Sequence, residues 1–269
     1  MITRKSFSIF KNNHKCYIEG HRGVNHEYYQ NTIPSFLKAI YYNIDCIELD
    51  VWLTLDKIPV IVHGNDNGEI SNYYNSKGLI NKLSLKEIKK FRTLNGNLKM
   101  PTLEDVFKIC KNKIFINIEL KDLQFNETFN EVEKLIKKYN MFEQIQISSF
   151  HHEYYNIIKN YNEKQKINKK IEFGFLYDEQ SNINNKKIEF IHKFNTINIY
   201  FKDISKNIVE NAHKNNMGVM VWFGMNDEEN EKIWENLINL DVDSICSNFP
   251  NKAKIFRDEY YMKKYKYNL

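Results

Sequence analysis

The chain has 269 residues, 42% of them hydrophobic and 27% charged, enough for one large or two small packed units. With a mean hydropathy of −0.60 it contains no apolar run of the ~18 residues that would cross a bilayer. Its 39 basic and 34 acidic side chains leave a net charge of +5 spread along the chain, whereas nucleic-acid binding asks for a concentrated basic stripe.

Residues 1–15 place Arg4, Lys5, Lys11 and Lys15 around a short apolar patch, 7–10, without the apolar segment and small-residue cleavage site of a signal peptide. We therefore expect a cytoplasmic protein. Short β-type apolar runs then occur at 16–20, 46–53, 59–63, 114–120, 145–149, 171–176, 196–201, 218–223 and 243–246, with amphipathic helical patterns at 34–42, 103–110, 129–139, 154–161, 205–215 and 228–240. Pro34 and Pro101 stand where helices begin, as their missing N–H allows. The basic tail at 263–267 reads as a frayed, solvated terminus. Cys16, Cys46, Cys110 and Cys246 lack any CxxC pair or zinc-site spacing and are expected to be buried, reduced thiols. With no linker-like segment and no repeat, residues 1–269 are expected to form a single domain.

Alternation of strands and helices predicts an α/β protein with a parallel sheet. The link at 54–58 is too short for a parallel crossover, so the second and third runs must pair antiparallel. A two-residue turn at Asp56 and Lys57 would set Asp50 opposite His63 and Trp52 opposite Ile61. Eight strands remain, the number that closes a (β/α)8 TIM barrel, and the length suits that fold. The alternative, an open doubly wound sheet, calls for a glycine-rich turn after the first strand, and no GxGxxG occurs.

In such a barrel the chemistry sits at the C-terminal ends of the strands. There the first run ends in His21-Arg22-Gly23, the second carries Glu48 and Asp50 on one side, the third ends in His63, and the fourth carries Asn117, Glu119 and Lys121 with period two. Carboxylates inside an apolar barrel lose much of their hydration, and three together need a cation. An all-oxygen set selects Mg²⁺ or Ca²⁺ over zinc. Arg22 and Lys121 are left for an anion, and phosphate suits both a metal and a guanidinium fork. His21 and His63 supply a general acid and a general base. Together these residues point to metal-assisted cleavage of a phosphoester. His14, His26, His151, His152, His192 and His213 lack such company and are assigned to surface or loop roles.

On these residues the chain resembles the glycerophosphodiester phosphodiesterases, barrel enzymes related to the phosphatidylinositol phospholipase C fold. The motifs, in order, are Gly20-His21-Arg22-Gly23, Gln30-Asn31-Thr32, Glu48-Leu49-Asp50-Val51, Pro59-Val60-Ile61-Val62-His63-Gly64 and Pro101-Thr102-Leu103-Glu104-Asp105. Asn117-Ile118-Glu119-Leu120-Lys121, Ser148-Ser149-Phe150 and Val221-Trp222 complete the series. The resemblance implies a core at 16–255 with a small insertion at 65–100 that shapes the leaving-group pocket at the mouth. It implies metal ligands Glu48, Asp50 and Glu119, phosphate contacts Arg22 and Lys121, and His21 and His63 as the acid–base pair in either order. The implied substrates are deacylated phospholipids such as glycerophosphocholine, cleaved to glycerol phosphate and an alcohol by direct water attack or through a cyclic phosphate.

The chain departs from the family's usual pattern at Gln30, Gly64, Trp222-Phe223 and Ser247-Asn248. None of these removes a proposed ligand, but segments 64–68 and 222–226 are expected to line the mouth and bear on substrate preference. Trp222 is a wall for a cationic head group through cation–π attraction, with plain core packing as the alternative. Two rival functions are a lysophospholipase D-type reaction on lysolipids, which needs an exposed apolar entrance, and a catalytically inactive barrel that binds head groups, which would have lost a ligand.

Overall fold

The computed structural model describes residues 15–70, 72–177 and 194–266; the readings for residues 1–14, His14 among them, and for His192 and Tyr267 lie outside them. The described strands are β1 (Tyr17–Gly20), β2 (Cys46–Leu53), β3 (Pro59–Ile61), β4 (Phe115–Leu120), β5 (Ile145–Ser149), β6 (Glu172–Tyr177), β7 (Thr196–Tyr200), β8 (Gly218–Trp222) and β9 (Ser244–Ser247). The helices are α1 (Ile33–Tyr41), α2 (Leu85–Ile88), α3 (Leu103–Cys110), α4 (Phe125–Tyr139), α5 (Glu153–Glu163), α6 (Lys206–Lys214), α7 (Glu231–Asn239) and α8 (Pro250–Lys266). All strands but β3 pair in parallel, and β1 pairs with both β2 and β9, so the sheet closes on itself as the expected eight-stranded TIM barrel.

Local chemistry sets the helix ends. Thr102 caps α3 by accepting from the Asp105 N–H, and Asp105 accepts back from the Thr102 N–H, a reciprocal capping box. Pro101 thus precedes the cap rather than opening the helix, while Pro34 does occupy the first turn of α1. With only 9 glycines in the chain, asparagine takes over left-handed positions: Asn31, Asn43, Asn97, Asn112, Asn140 and Asn216 all have positive φ, which their short polar side chain tolerates. Asn140, at φ 51°, ends α4 in this way.

The hairpin register differs from the expected one. Thr54 N–H donates to the Ile58 carbonyl, and Lys57, at φ 60°, donates back to the Thr54 carbonyl. Leu55, Asp56 and Lys57 therefore form a three-residue loop whose left-handed residue completes the bulge. Val51 faces Ile61 and Trp52 faces Val60, and Asp50 bonds Val62 rather than standing opposite His63. The tail reading also changes, because residues 250–266 are helical. Arg257 of α8 is buried and bonds the Cys16 carbonyl and Asp45, tying the helix to the start of the barrel.

A single large apolar cluster packs the helices on the outside of the strands, while the inside of the barrel carries polar residues in place of a fully aliphatic filling. Glu19 accepts from Ser244 Oγ at 2.6 Å, Gln146 donates to Thr196 at 2.8 Å, and Thr196 donates to Asn198 at 2.9 Å. Gly174 makes room for them, since a Cβ there would stand 2.6 Å from Asn198 Nδ2. The segment 65–100 at the mouth has its own small core, in which Trp52, Val60 and Val62 meet Ile70, Tyr74, Ile80, Ile88 and Met100. Gly68, at φ 79°, lies against the Trp52 ring, where a Cβ would come within 2.9 Å.

Candidate active site

At the C-terminal mouth a cavity of about 530 Å³ is lined by His21, Arg22, Glu48, His63, Glu119, Lys121 and Trp222, among others. Strand geometry explains the gathering. Glu48 and Asp50 lie on one face of β2, Glu48 beside Asn117 and Asp50 beside Glu119 of β4. One carboxylate oxygen from each of Glu48, Asp50 and Glu119 falls within 4.8 Å of the others.

The electrostatics are those of a crowded anionic site. Burial, and after it the charges of Asp50 and Glu119, push the Glu48 carboxyl well above its ordinary value. Burial raises Glu119 too, opposed by Lys121. Asp50 goes the other way: burial would raise it, but Arg22, His63 and Lys121 hold it down. Arg22 Nε stands 3.3 Å from Asp50 Oδ2, and Lys121 Nζ is 3.0 Å from Glu119 Oε1 and 3.7 Å from Asp50 Oδ1. Asn31 Nδ2 donates to Asp50 Oδ2 at 2.7 Å, and the Arg22 N–H donates to Glu48 Oε2 at 2.9 Å. Yet Glu48 Oε1 and Asp50 Oδ1 are buried without a hydrogen-bond partner. Buried carboxylate oxygens left bare are costly, and a hard divalent cation is the group that such an all-oxygen set fits.

Both histidines border the same cavity. His21 Nδ1 stands 2.8 Å from Asn248 Oδ1, and His63 Nδ1 stands 2.9 Å from the Tyr73 hydroxyl. Burial is the largest influence on each, lowering His21 to about 3 and His63 to about 4. Both rings are therefore neutral near pH 7. Trp222 closes one wall, its ring edge-on to Phe150 at 5.7 Å and its Nε1 donating to the Tyr177 carbonyl.

Every predicted site residue thus meets in one place, and four supporting residues join them. Asn25, Asn31, Tyr73 and Asn248 hold the reactive groups from behind; Asn31 stands in a motif already singled out, whereas Tyr73 has no local signal that could have flagged it. His151 lies in the loop after β5, as expected, but there it lines the cavity. His26, His152 and His213 lie away from the cavity lining, His152 against Phe175 and His213 on Asp243. Among its described residues the insertion gives the cavity wall only Asp66, although its Tyr73 supports His63. Of segments 64–68 and 222–226, Asp66 and Trp222, Phe223 and Gly224 line the mouth, while Gly64 and Gly68 pack on Trp52 instead.

The sequence model of the glycerophosphoryl diester phosphodiesterase family matches residues 21–252. A glycerophosphodiester phosphodiesterase of Caldanaerobacter subterraneus subsp. tengcongensis is 29% identical over 245 residues, covering 88% of this chain and 95% of that one. One from Bacillus altitudinis is 28% identical over 263 residues, covering 90% and 98%. Among solved structures, an Oleispira antarctica phosphodiesterase in complex with the product sn-glycerol-3-phosphate superposes with a TM-score of 0.79 at 22% identity, covering 94% of this chain and all of that one. The match begins at His21, takes in every acidic, basic and imidazole group of the mouth and runs to the start of the last helix, so this chain is a phosphodiesterase and belongs to the glycerophosphoryl diester phosphodiesterase family.

Proposed function

We propose that this enzyme hydrolyses glycerophosphodiesters, deacylated phospholipids such as glycerophosphocholine, to glycerol 3-phosphate and an alcohol, with a divalent cation and a pair of histidines. The observation that carries the reading is the pair of bare, buried carboxylate oxygens on Glu48 and Asp50, set beside Arg22, Lys121 and two neutral imidazoles in one cavity. Glu48, Asp50 and Glu119 would hold Mg²⁺ or Ca²⁺, which when bound supplies charge for the phosphate and lowers the pKa of a bound hydroxyl or water. Charge balance supports this. Once ionised, as ligands must be, the three carboxylates outnumber Arg22 and Lys121 by one charge; a divalent ion makes the balance positive, which suits an anionic phosphodiester.

Arg22 and Lys121 bind the non-bridging phosphate oxygens, the first with a planar fork and the second as a point charge. One histidine, neutral at Nε2, accepts the proton of the attacking oxygen, from water or from the neighbouring glycerol hydroxyl. The other, first charged by a proton taken up from solvent as the anionic substrate binds, delivers that proton to the departing alkoxide. Trp222 offers an aromatic face to a cationic head group. The sn-glycerol-3-phosphate held by the Oleispira antarctica relative supports a glycerol phosphate product here. The whole chain acts as one catalytic unit on this reading. Free, buried Cys16, Cys46, Cys110 and Cys246 support a reducing, cytoplasmic setting, and among the described residues no helix is long and apolar enough to cross a membrane.

The deciding experiment is a coupled assay for glycerol 3-phosphate release from glycerophosphocholine, after chelation and again with Mg²⁺ or Ca²⁺ restored. Metal-dependent release is expected. No release from any glycerophosphodiester, with turnover of a lysolipid in its place, would overturn the substrate class.

A further inference from the structure

The His21 ring is held from behind by an amide. Asn248 Oδ1 lies 2.8 Å from His21 Nδ1, and the amide's orientation follows from its other partners. Its Nδ2 donates to the Gly224 carbonyl at 2.9 Å, while its Oδ1 also accepts from Asn25 Nδ2 at 2.9 Å. Turning the amide over would set two NH₂ groups together at Asn25 and two carbonyls together at Gly224, which their donor and acceptor inventory forbids. Oδ1 has no proton to give. The proton between the two side chains therefore belongs to His21 Nδ1, and Nε2 keeps its lone pair.

This amide is itself clamped. The Asn248 N–H donates to Glu229 Oε1 at 2.7 Å, and Glu229 Oε2 accepts from Ser247 Oγ at 2.5 Å and Trp234 Nε1 at 3.3 Å. The His21 backbone is held by the same groups, its N–H donating to the Ser247 carbonyl and its carbonyl accepting from Asn25 Nδ2. Asn248 is only 3% exposed, so no solvent competes for the bond.

We propose that Asn248 is a positioning residue that fixes His21 with its proton on Nδ1, making Nε2 the nitrogen that exchanges a proton with the substrate. The inference rests on the proton-transfer role proposed above for His21. A carboxylate at this position would accept the same hydrogen bond but would also favour the charged ring; the amide orients the imidazole without charging it. Arg22, Asp50 and His63 are the charged and titratable groups acting on the ring, and Asn248 adds none.

The test begins with ¹⁵N NMR of the full-length enzyme, which distinguishes the two neutral tautomers directly. A proton on His21 Nδ1 in the wild type is expected, and a proton on Nε2 overturns the inference. In kinetics, Asn248→Ala should lower kcat roughly 10- to 100-fold with KM little changed. Asn248→Asp should keep kcat within a few-fold of wild type while moving the His21 limb of the pH–rate profile upward. Wild-type kcat in Asn248→Ala, or an unmoved profile in Asn248→Asp, refutes the assignment. Should Asn248→Ala fail to fold, the wild-type spectrum and the Asp variant still decide. Inactivity of the wild type toward every glycerophosphodiester would defeat the function proposed above, whereas the NMR result judges the tautomer by itself.

Discussion

Lys121 Nζ stands 3.4 Å from His63 Nε2, and because an ammonium can only donate, this contact makes Nε2 the acceptor. The His63 ring proton then sits on Nδ1, 2.9 Å from the Tyr73 hydroxyl. Tyr73 is fixed in turn by the Tyr29 hydroxyl, which donates to its carbonyl at 2.7 Å. Tyr73→Phe removes the acceptor and keeps the ring packing. We expect kcat to fall by about 10-fold, at the low end of what acid–base groups contribute, with KM and the melting temperature near wild type. Steady-state kinetics check this, and an unchanged kcat would refute a supporting role for Tyr73.

The same histidines set a pH limit on stability. An unfolded imidazole takes up a proton below about 6.5, whereas folded His63 does so only near 4 and His21 near 3. Between those values the unfolded chain binds more protons, so stability is fully present above about pH 6.5 and is lost as the pH falls toward the folded values. By pH 5 each ring should have cost about 2 kcal/mol. Denaturant unfolding of the metal-free protein at pH 7.5 and pH 5 measures the loss, and in His63→Gln the drop should shrink by the His63 share. An equal drop in both proteins would sink the attribution.

Metal removal probes the acidic cluster. Since burial raises Glu48 and Glu119, protons compete with a cation for these carboxylates, and affinity should therefore rise with pH. Calorimetry in buffers of different ionisation enthalpy should detect proton release on binding Mg²⁺ or Ca²⁺. Glu119→Gln should weaken that binding by at least about 10-fold, since a ligating charge is lost. Full activity after exhaustive chelation would contradict the ligand set.

How much of this was legible in the sequence depends on the range of the forces involved. Period-two placement of Glu48 and Asp50, and of Asn117, Glu119 and Lys121, is a local property of strands, and β4 aligns beside β2 with Asp50 next to Glu119. The hairpin register was read one residue off, because whether Asp56 and Lys57 form the whole loop depends on Lys57 adopting φ 60°, a choice that no side-chain pattern announces. Asn248 reaches His21 from 227 residues away, so its role exists only once the barrel has closed, while Tyr73 meets His63 from 10 residues away through the fold of the insertion, which has no periodic pattern to announce it. The terminal helix has no segregated polar and apolar faces; it is held by Ala253, Phe256, Tyr260 and Tyr261 on the core and by Arg257, which reaches Cys16 and Asp45 at the other end of the chain.

Trp222 gives a prediction about substrate preference. It lines the cavity beside Phe150, and Tyr200 braces it at 4.9 Å. A cation–π contact is worth about 0.5–2 kcal/mol, so Trp222→Ala should raise KM for glycerophosphocholine by roughly 2- to 30-fold. A glycerophosphodiester with an uncharged head group should show a smaller change. Equal losses on both substrates would mean that the ring packs the wall without recognising charge.

Arg257 is the test of how the barrel is closed. Its guanidinium, 2% exposed, donates to the Cys16 carbonyl at 3.0 Å and pairs with Asp45 and Asp258. Asp45 also accepts from the Ile18 N–H at 2.9 Å. One side chain of the last helix thus anchors the starts of β1 and β2, the strands whose pairing completes the ring. Asp45 and Asp258 are part-exposed and keep other partners, so the loss is mainly the charged donor to the buried Cys16 carbonyl and to Asp45, which costs about 1–3 kcal/mol. Arg257→Ala should lower the unfolding free energy by that amount and speed amide exchange in β1 before the central strands. Because Arg257 lies far from the mouth, the folded fraction should keep wild-type kcat. A small stability change, or protection lost first in β5 or β6, would mean that closure is held elsewhere.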